Sequence, residues 1–428
     1  MKRRILGALA ASALLATTLV ACSSGSGGNS SDSGSSQDTK TVTGTLRVLT
    51  PSYPANNIGK AAFQKVVDKF HEKYPKMKVE PDYATYTNLN EKISTSIAGG
   101  DGYDVIGSGV GWIAPFADKG VYADLSEFGV TPKTIGKKMV PALVPPATYN
   151  GKIYGYPFII DARAIAFRKS DFERVGLDPA NPPKTFDEIK AAADKLTVKD
   201  ASGHITKPGF DFNTSPGNYR QAFIIFLAST GTPLYKNGKP NFDNAQGVKV
   251  LNWMKSIIGE DQAFGQQNAA QKPMVLTNEA SMGFVGSSVD CSDQGVGKAN
   301  CDDLGYLLPD NGKAAEMVGG DILSVGARSK NKDAAWAFVQ AMSSPDLENE
   351  AAMINNKVPA IASVPQSSSS LQSPLAKFTS SHLKDAIYEG GPANWLDVRN
   401  VFGPTIDDVL LGKISAKDGL DKIAEQAK

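Results

Sequence analysis

KIYGYPFIIDARAIAFR, residues 152–168, decides how the rest of the chain is read. Strand formers run through Tyr156, Phe158, Ile159 and Ile160, a lone carboxylate interrupts them at Asp161, and the apolar pattern resumes at Ala164, Ile165, Ala166 and Phe167. A strand this apolar belongs in an interior. An unpaired buried carboxylate is costly, so Asp161 needs a polar cleft or an ion pair. Two readings follow. Either the segment is the first crossing between two lobes, with Asp161 looking into the groove between them, or it is an ordinary core strand whose acid binds a neighbouring backbone amide.

Working outward to the amino terminus, Lys2, Arg3 and Arg4 precede an apolar run from Ile5 to Ala21. A basic flank before a short apolar region reads as a secretory signal over residues 1–21. Its ending, Leu19-Val20-Ala21-Cys22, looks like a bacterial lipobox, which implies cleavage before Cys22 and diacylglycerol on its sulfur. Residues 22–42 then form a lipidated cysteine and a flexible linker. The eighteen positions from 23 to 40 are almost entirely small and polar, too poor in apolar side chains to bury a core. As a coil they span roughly 20 to 25 Å. The folded part starts near Thr43, and nearly four hundred residues exceed the usual reach of one hydrophobic core, so two lobes are expected.

Charge excludes more than it suggests. Without Lys2, Arg3 and Arg4 the 45 basic residues become 42 against 44 acidic, and no basic cluster suited to nucleic acid stands out. Beyond Cys22 only Cys291 and Cys301 remain, and in an oxidising exterior they read most simply as a local disulfide. A metal pair fits less well, because the loop between them has no His and the chain has only three. No cofactor and no metal are expected.

The order of elements is that of an α/β protein. Thr43–Leu49 is a strand, Ile58–Tyr74 an amphipathic helix, Lys78–Ala84 a strand, Thr87–Ala98 a helix and Tyr103–Ile106 a strand. Ligands of such parallel sheets sit beyond the carboxyl ends of the strands. Those loops carry Tyr53, Tyr83, Tyr86, Asp104 and Trp112, the mixture of aromatic platforms and polar rims that a sugar needs. Further on, helices are expected at 186–196, 218–229, 244–258, 332–342, 345–354, 371–388 and 395–411. Within the 244–258 helix Trp253 falls on the core face. Ala315–Arg328, with Gly319 and Gly320, reads as a second crossing.

Taken together, the lipobox, YPFIIDARAIAFRKSDF, the glycine pair before a strand, SKNKDAAWAFVQAMSSP and the tail NWLDVRNVFGPTIDDVLLGKISAKDGLDKIAEQA resemble an extracellular solute-binding protein of a bacterial sugar ABC importer, the group that includes the maltose-binding protein. The resemblance covers nearly all of the mature chain. It implies a two-lobe α/β fold of the periplasmic-binding-protein type II class, with residues 43–158 plus about 322–365 in the amino-terminal lobe and 159–321 plus about 366–428 in the carboxyl-terminal lobe. It places the crossings near Ile159, near Asp321 and in or near Ser363–Ser373. Asp161 falls on the interlobe acid that binds sugar hydroxyls, and Trp395 on the tryptophan that stacks on a sugar ring. Trp112, Gly320 and Asp321 join the candidate site. After MGFVG the family often places a second stacking tryptophan, where this chain has Ser287 and Ser288.

The implied function is capture of a sugar, in particular an oligosaccharide, by hinge closure and its delivery to an ABC permease by a monomer lipid-anchored on the extracellular face of the membrane. One rival keeps the scaffold but binds a non-sugar solute such as a sugar phosphate or polyamine; Arg163 and Arg220 would favour the anionic members of that class if either points into the groove. Another is a secreted glycoside hydrolase, which needs a second carboxyl group placed across the cleft. No segment like that of Asp161 supplies one, and no enzyme is expected.

Overall fold

Residues 156–168 fold into one continuous strand of thirteen residues, the spine of a nine-stranded sheet. The computed structural model describes residues 38–100, 102–212, 219–269, 272–286, 289–292, 295–363, 368–371 and 373–427. The strands of this sheet are β1 (Gly44–Thr50), β2 (Met77–Tyr83), β3 (Val105–Gly109), β4 (Tyr156–Arg168), β5 (Met282–Gly286), β6 (Leu304–Leu307), β7 (Glu316–Val325), β8 (Val358–Pro359) and β9 (Ala386–Tyr388). β1 lies between β2 and β3 and is parallel to both. β3 pairs antiparallel with Asp321–Val325 of β7, and β7 pairs antiparallel with Tyr156–Arg163 of β4.

β4 continues beyond that pairing, where β5 and β6 join it antiparallel. The early part of β7, Glu316–Val318, holds β9 in parallel. Both β4 and β7 therefore pass from one half of the sheet to the other. The crossings expected near Ile159 and near Asp321 fall on these two strands. A third connection runs from β8 to β9 through the Ser-rich stretch, of which residues 364–367 and 372 lie outside the described set.

Two large apolar clusters flank the crossing. One gathers Leu46, Phe63, Val66, Phe70, Ile159, Leu323 and Phe338; the other gathers Ile165, Phe172, Phe210, Phe223, Trp253, Phe402 and Leu420. β4 contributes Phe158, Ile159 and Ile160 to the first and Ile165 and Phe167 to the second. Asp161 and Arg163 sit between them. The one acid in this apolar strand thus stands between residues that join one core and residues that join the next. Strand alternation puts Leu49, Ile106 and Ile322 on the opposite face of the amino-terminal sheet, in a smaller cluster with Trp112, Ile113 and Phe116.

Local sequence accounts for most helices. Asn57–His71 buries Ala62, Phe63, Val66, Val67 and Phe70 on one stripe, and the Asn56 side chain caps it by accepting from the Gly59 N–H. Phe186–Leu196 opens on a capping box of Thr185 and Glu188. Trp253 is a core residue, as its spacing predicts, with its indole N–H donating to the Phe186 carbonyl at 2.9 Å.

One element departs from expectation. The helix expected over 371–388 is confined to Pro374–His382, and Ala386–Tyr388 is strand β9. The edge of β7 offers unpaired backbone groups there, and pairing with them overrides a weak local helical pattern. Cys291 and Cys301 form a disulfide with Cα atoms 5.7 Å apart. Among the described residues no helix is long and apolar enough to cross a membrane. The leader and Cys22 lie outside the described set.

Candidate functional site

A cavity of about 230 Å³ opens where the two crossing strands leave the amino-terminal core. Its floor is Asp161 and Arg163 of β4 and residues 317–320 of β7. At Gly320 φ is +121°, and a Cβ there would lie 2.0 Å from the Ile159 carbonyl oxygen, so only glycine lets the two crossing strands approach this closely. A bulge follows between Asp321 and Ile322.

The amino-terminal side is aromatic. Tyr86, from the loop after β2, meets Trp112, from the loop after β3, edge to face at 6.2 Å between centroids. Tyr86 is nearly half exposed, but its hydroxyl reaches inward and donates to the Asp321 carboxylate. Lys357 holds the same Asp321 oxygen at 3.3 Å. Burial, then the charge and hydrogen bond of Asp321, push the Tyr86 hydroxyl well above the ordinary tyrosine range, so it stays protonated and remains a donor.

The carboxyl-terminal side is polar and charged. On β4, side chains two apart share a face, which lets Arg163 donate to Asp161 at 2.7 Å. Gly286 is the register partner of Arg163 on β5, and a Cβ there would lie 2.8 Å from the guanidinium, so the missing side chain makes room for the arginine. Glu389, just after β9, accepts from Arg220 Nε at 2.9 Å and from Gln221 Nε2 at 3.0 Å, both at the start of helix Arg220–Ser229. Arg399 of helix Trp395–Leu410 approaches Glu389 at 3.5 Å. Burial alone would push the Glu389 carboxyl up, but the charges of Arg220 and Arg399 and the hydrogen bonds outweigh it and hold it below the usual range. Trp395 lies one turn before Arg399 on the same helix face. Only 1% of Trp395 is exposed, with Tyr235 and Phe402 packed edge-on against the ring, so it reaches the cavity as one edge of a core residue.

The structure thus brings together Tyr86, Trp112, Asp161, Gly320 and Trp395 around one cavity. Three expected contacts are placed elsewhere, and these placements correct the sequence reading. Tyr53 turns into the amino-terminal core, edge-on to Phe63 at 5.4 Å, because the loop after β1 folds back under helix Asn57–His71. Asp104 ties strands together, accepting from the Arg47 N–H at 2.8 Å and from the Ser329 hydroxyl at 2.6 Å. Asp321 is buried beneath Tyr86 rather than lining the cavity. Ser287 and Ser288 lie outside the described residues.

The question left open over two arginines is answered. Arg163 lines the cavity but is neutralised there by Asp161, whereas Arg220 stands behind Glu389. Gln221, Glu389 and Arg399 were not expected, and only tertiary packing joins them. Among the described residues the group of three acids close enough to share a cation, Asp194, Glu260 and Asp261, is already bridged by the Lys190 ammonium.

Comparison with known proteins adds four findings. Residues 54–348 match the family described as bacterial extracellular solute-binding protein. The diacetylchitobiose binding protein DasA of Streptomyces coelicolor is 24% identical over 376 residues, 84% of this chain and 82% of that protein. Among solved structures, the GacH receptor of Streptomyces glaucescens, studied unliganded and with acarbose, superposes with a TM-score of 0.72 at 22% identity, covering 90% of this chain and 97% of that one. Maltose-bound MalE3 of T. maritima gives 0.72 at 22% identity over 90% and 99% of the two chains. These likenesses establish the two-lobe fold.

Proposed function

This chain belongs to the bacterial extracellular solute-binding proteins, and from that membership we propose that it captures a sugar in the cavity between its lobes and delivers it to an ABC permease in the membrane. The observation that carries the reading is the composition of the cavity. Aromatic faces from Tyr86 and Trp112, an edge of Trp395, and the polar side chains of Asp161, Arg163, Gln221, Glu389 and Arg399 converge on one space. A sugar has apolar C–H faces and a rim of hydroxyls, so it needs both kinds of wall. The names of relatives support the same class: DasA binds diacetylchitobiose, and the solved GacH and MalE3 structures hold acarbose and maltose.

The proposed cycle begins with sugar docked on one lobe. The lobes, residues 43–158 plus about 322–365 and 159–321 plus about 366–428, rotate together about the crossings. Water leaves, and hydrogen bonds to Asp161 and its neighbours strengthen in the drier cavity. The closed shape is what the permease recognises. The chain works as a monomer without enzymatic activity of its own, held on the extracellular face by lipid on Cys22 with the Ser- and Gly-rich linker as tether.

Calorimetric titration of purified protein with a saccharide panel, with amino acids and polyamines as controls, tests the reading. Micromolar or tighter binding of a saccharide, recovered chemically unchanged, is the expected result. Binding of amino acids or polyamines with no saccharide binding would remove it.

A further inference from the structure

We infer that the cavity is built for a saccharide that carries one anionic group, a carboxylate or a phosphate, seated on the guanidinium of Arg399. This rests on the reading of the cavity as a sugar site and narrows the class of sugar.

Around the cavity Asp161 takes Arg163 at 2.7 Å, and behind its aromatic wall Asp321 takes Lys357 at 3.3 Å. Those pairs are balanced. Glu389, by contrast, faces two arginines. Arg220 occupies it with Nε at 2.9 Å and an Nη at 3.4 Å, and Gln221 fills its second oxygen at 3.0 Å. Arg399 is left with Nε 3.5 Å from an oxygen Arg220 already holds, too long for a good hydrogen bond, and it has no other acceptor among the described residues. One cation is therefore in surplus, and it lines the cavity with two thirds of its side chain out of water.

A desolvated charge without full compensation is costly. Burial draws the Arg399 guanidinium below its ordinary range despite the charge of Glu389, which marks the deficit. A neutral sugar hydroxyl can accept one hydrogen bond from this group but brings no charge. A carboxylate or phosphate matches the planar fork with two parallel N–H···O bonds and cancels the surplus. A polyamine would add to it. The cavity volume of about 230 Å³ suits a ligand whose anionic group and one sugar ring share the space between Arg399 and the Tyr86–Trp112 wall.

The test is titration calorimetry at pH 7 and low salt. Neutral disaccharides of glucose, galactose and mannose are compared with counterparts in which one hydroxymethyl carbon is oxidised to a carboxylate, and with hexose 6-phosphates. The expected result is an anionic saccharide bound tenfold or more tightly than its neutral counterpart, with the preference shrinking as salt rises. Arg399→Gln should abolish the preference, and Arg399→Lys, which keeps charge without the fork, should keep part of it. Which anionic series binds names the source of the charge. Neutral saccharides that bind as well as or better than their charged counterparts overturn the inference and leave the sugar reading standing, and a preference that survives in Arg399→Gln overturns the assignment to Arg399. Absence of binding by any saccharide overturns both. If Arg399→Gln does not fold by circular dichroism, the charge and salt series on the unmodified protein decides alone.

Discussion

Glu316, at the start of β7, is fully buried, and neither of its oxygens has a hydrogen-bond partner among the described residues. Burial pushes its carboxyl up to about 8, with the charge of Asp385 adding to the rise. The sign of the consequence is fixed by linkage. Below the ordinary value of 4.5 the group is protonated in both states; as pH rises from there through about 8 the folded chain keeps a proton that the unfolded chain has released. Stability therefore falls across that window, by up to roughly 1.4 kcal/mol per pH unit, and the loss is complete above it. Glu316→Gln has no proton to lose. Urea unfolding should find the two proteins alike near pH 5 and the variant more stable near pH 8 by roughly 2 to 4 kcal/mol; parallel curves would refute the buried neutral acid. Glu348, whose carboxyl burial also pushes well up, remains in both proteins and cancels in the comparison. Asp161 meets the same demand differently, by pairing with Arg163. Asp161→Asn should weaken sugar binding by about 1.5 to 3 kcal/mol while near-UV circular dichroism stays native, and unchanged affinity would take Asp161 out of the site. Trp395→Ala is a poorer probe, because a tryptophan 1% exposed also supports the carboxyl-terminal core; its loss should cost about 3 to 5 kcal/mol of stability, so calorimetry on Trp395→Phe separates platform from core.

Between elements, Glu389 does the joining: one carboxylate binds the segment after β9 to the start of helix Arg220–Ser229 and faces helix Trp395–Leu410. Arg220 is nearly fully buried, so Glu389→Ala leaves a guanidinium without its partner and should cost about 3 to 5 kcal/mol of unfolding free energy. Adding Arg220→Met to that variant should return part of the loss, and no recovery would show that packing rather than charge is responsible. This junction also shows where sequence stops being informative. β4, Lys332–Met342 and Pro345–Ile354 are legible because their apolar spacing repeats within the element itself. β9 is not, because its three residues are made a strand by the edge of β7. Asp161 could be found because an acid among strand formers is locally anomalous. Gln221, Glu389 and Arg399 could not, because nothing local distinguishes them from surface residues until two helices and a loop meet. Tyr53 misleads for the converse reason, since it follows the right end of β1 but strand order does not say which way a loop side chain turns, and Asp104 stands at the amino end of β3, opposite to the ligand-facing ends.

Beside the cavity the loop after β3 also meets the segment after β9. Gly111, after β3, lies against the backbone of Glu389 and Gly390, and Leu396 packs on the cluster of Trp112, Ile113 and Phe116. At Gly111 φ is +89°, and a Cβ would lie 2.1 Å from the Glu389 carbonyl oxygen. On the proposed cycle this is the contact that must form when the lobes shut and break when they open. Gly111→Ala should therefore act as a wedge. The fold in each half is unaffected by a methyl group at the rim, so the cost in stability should be limited to about 1 to 3 kcal/mol from the unfavourable dihedral, and less if the lobes simply stay apart. Ligand still reaches one wall but cannot be enclosed, so affinity should fall tenfold or more because the interactions of the opposite lobe are lost. Small-angle scattering with a saturating sugar gives the decisive comparison. The unmodified protein should contract on adding sugar, and Gly111→Ala should not; a variant that contracts to the same radius of gyration would show that closure does not pass through this contact.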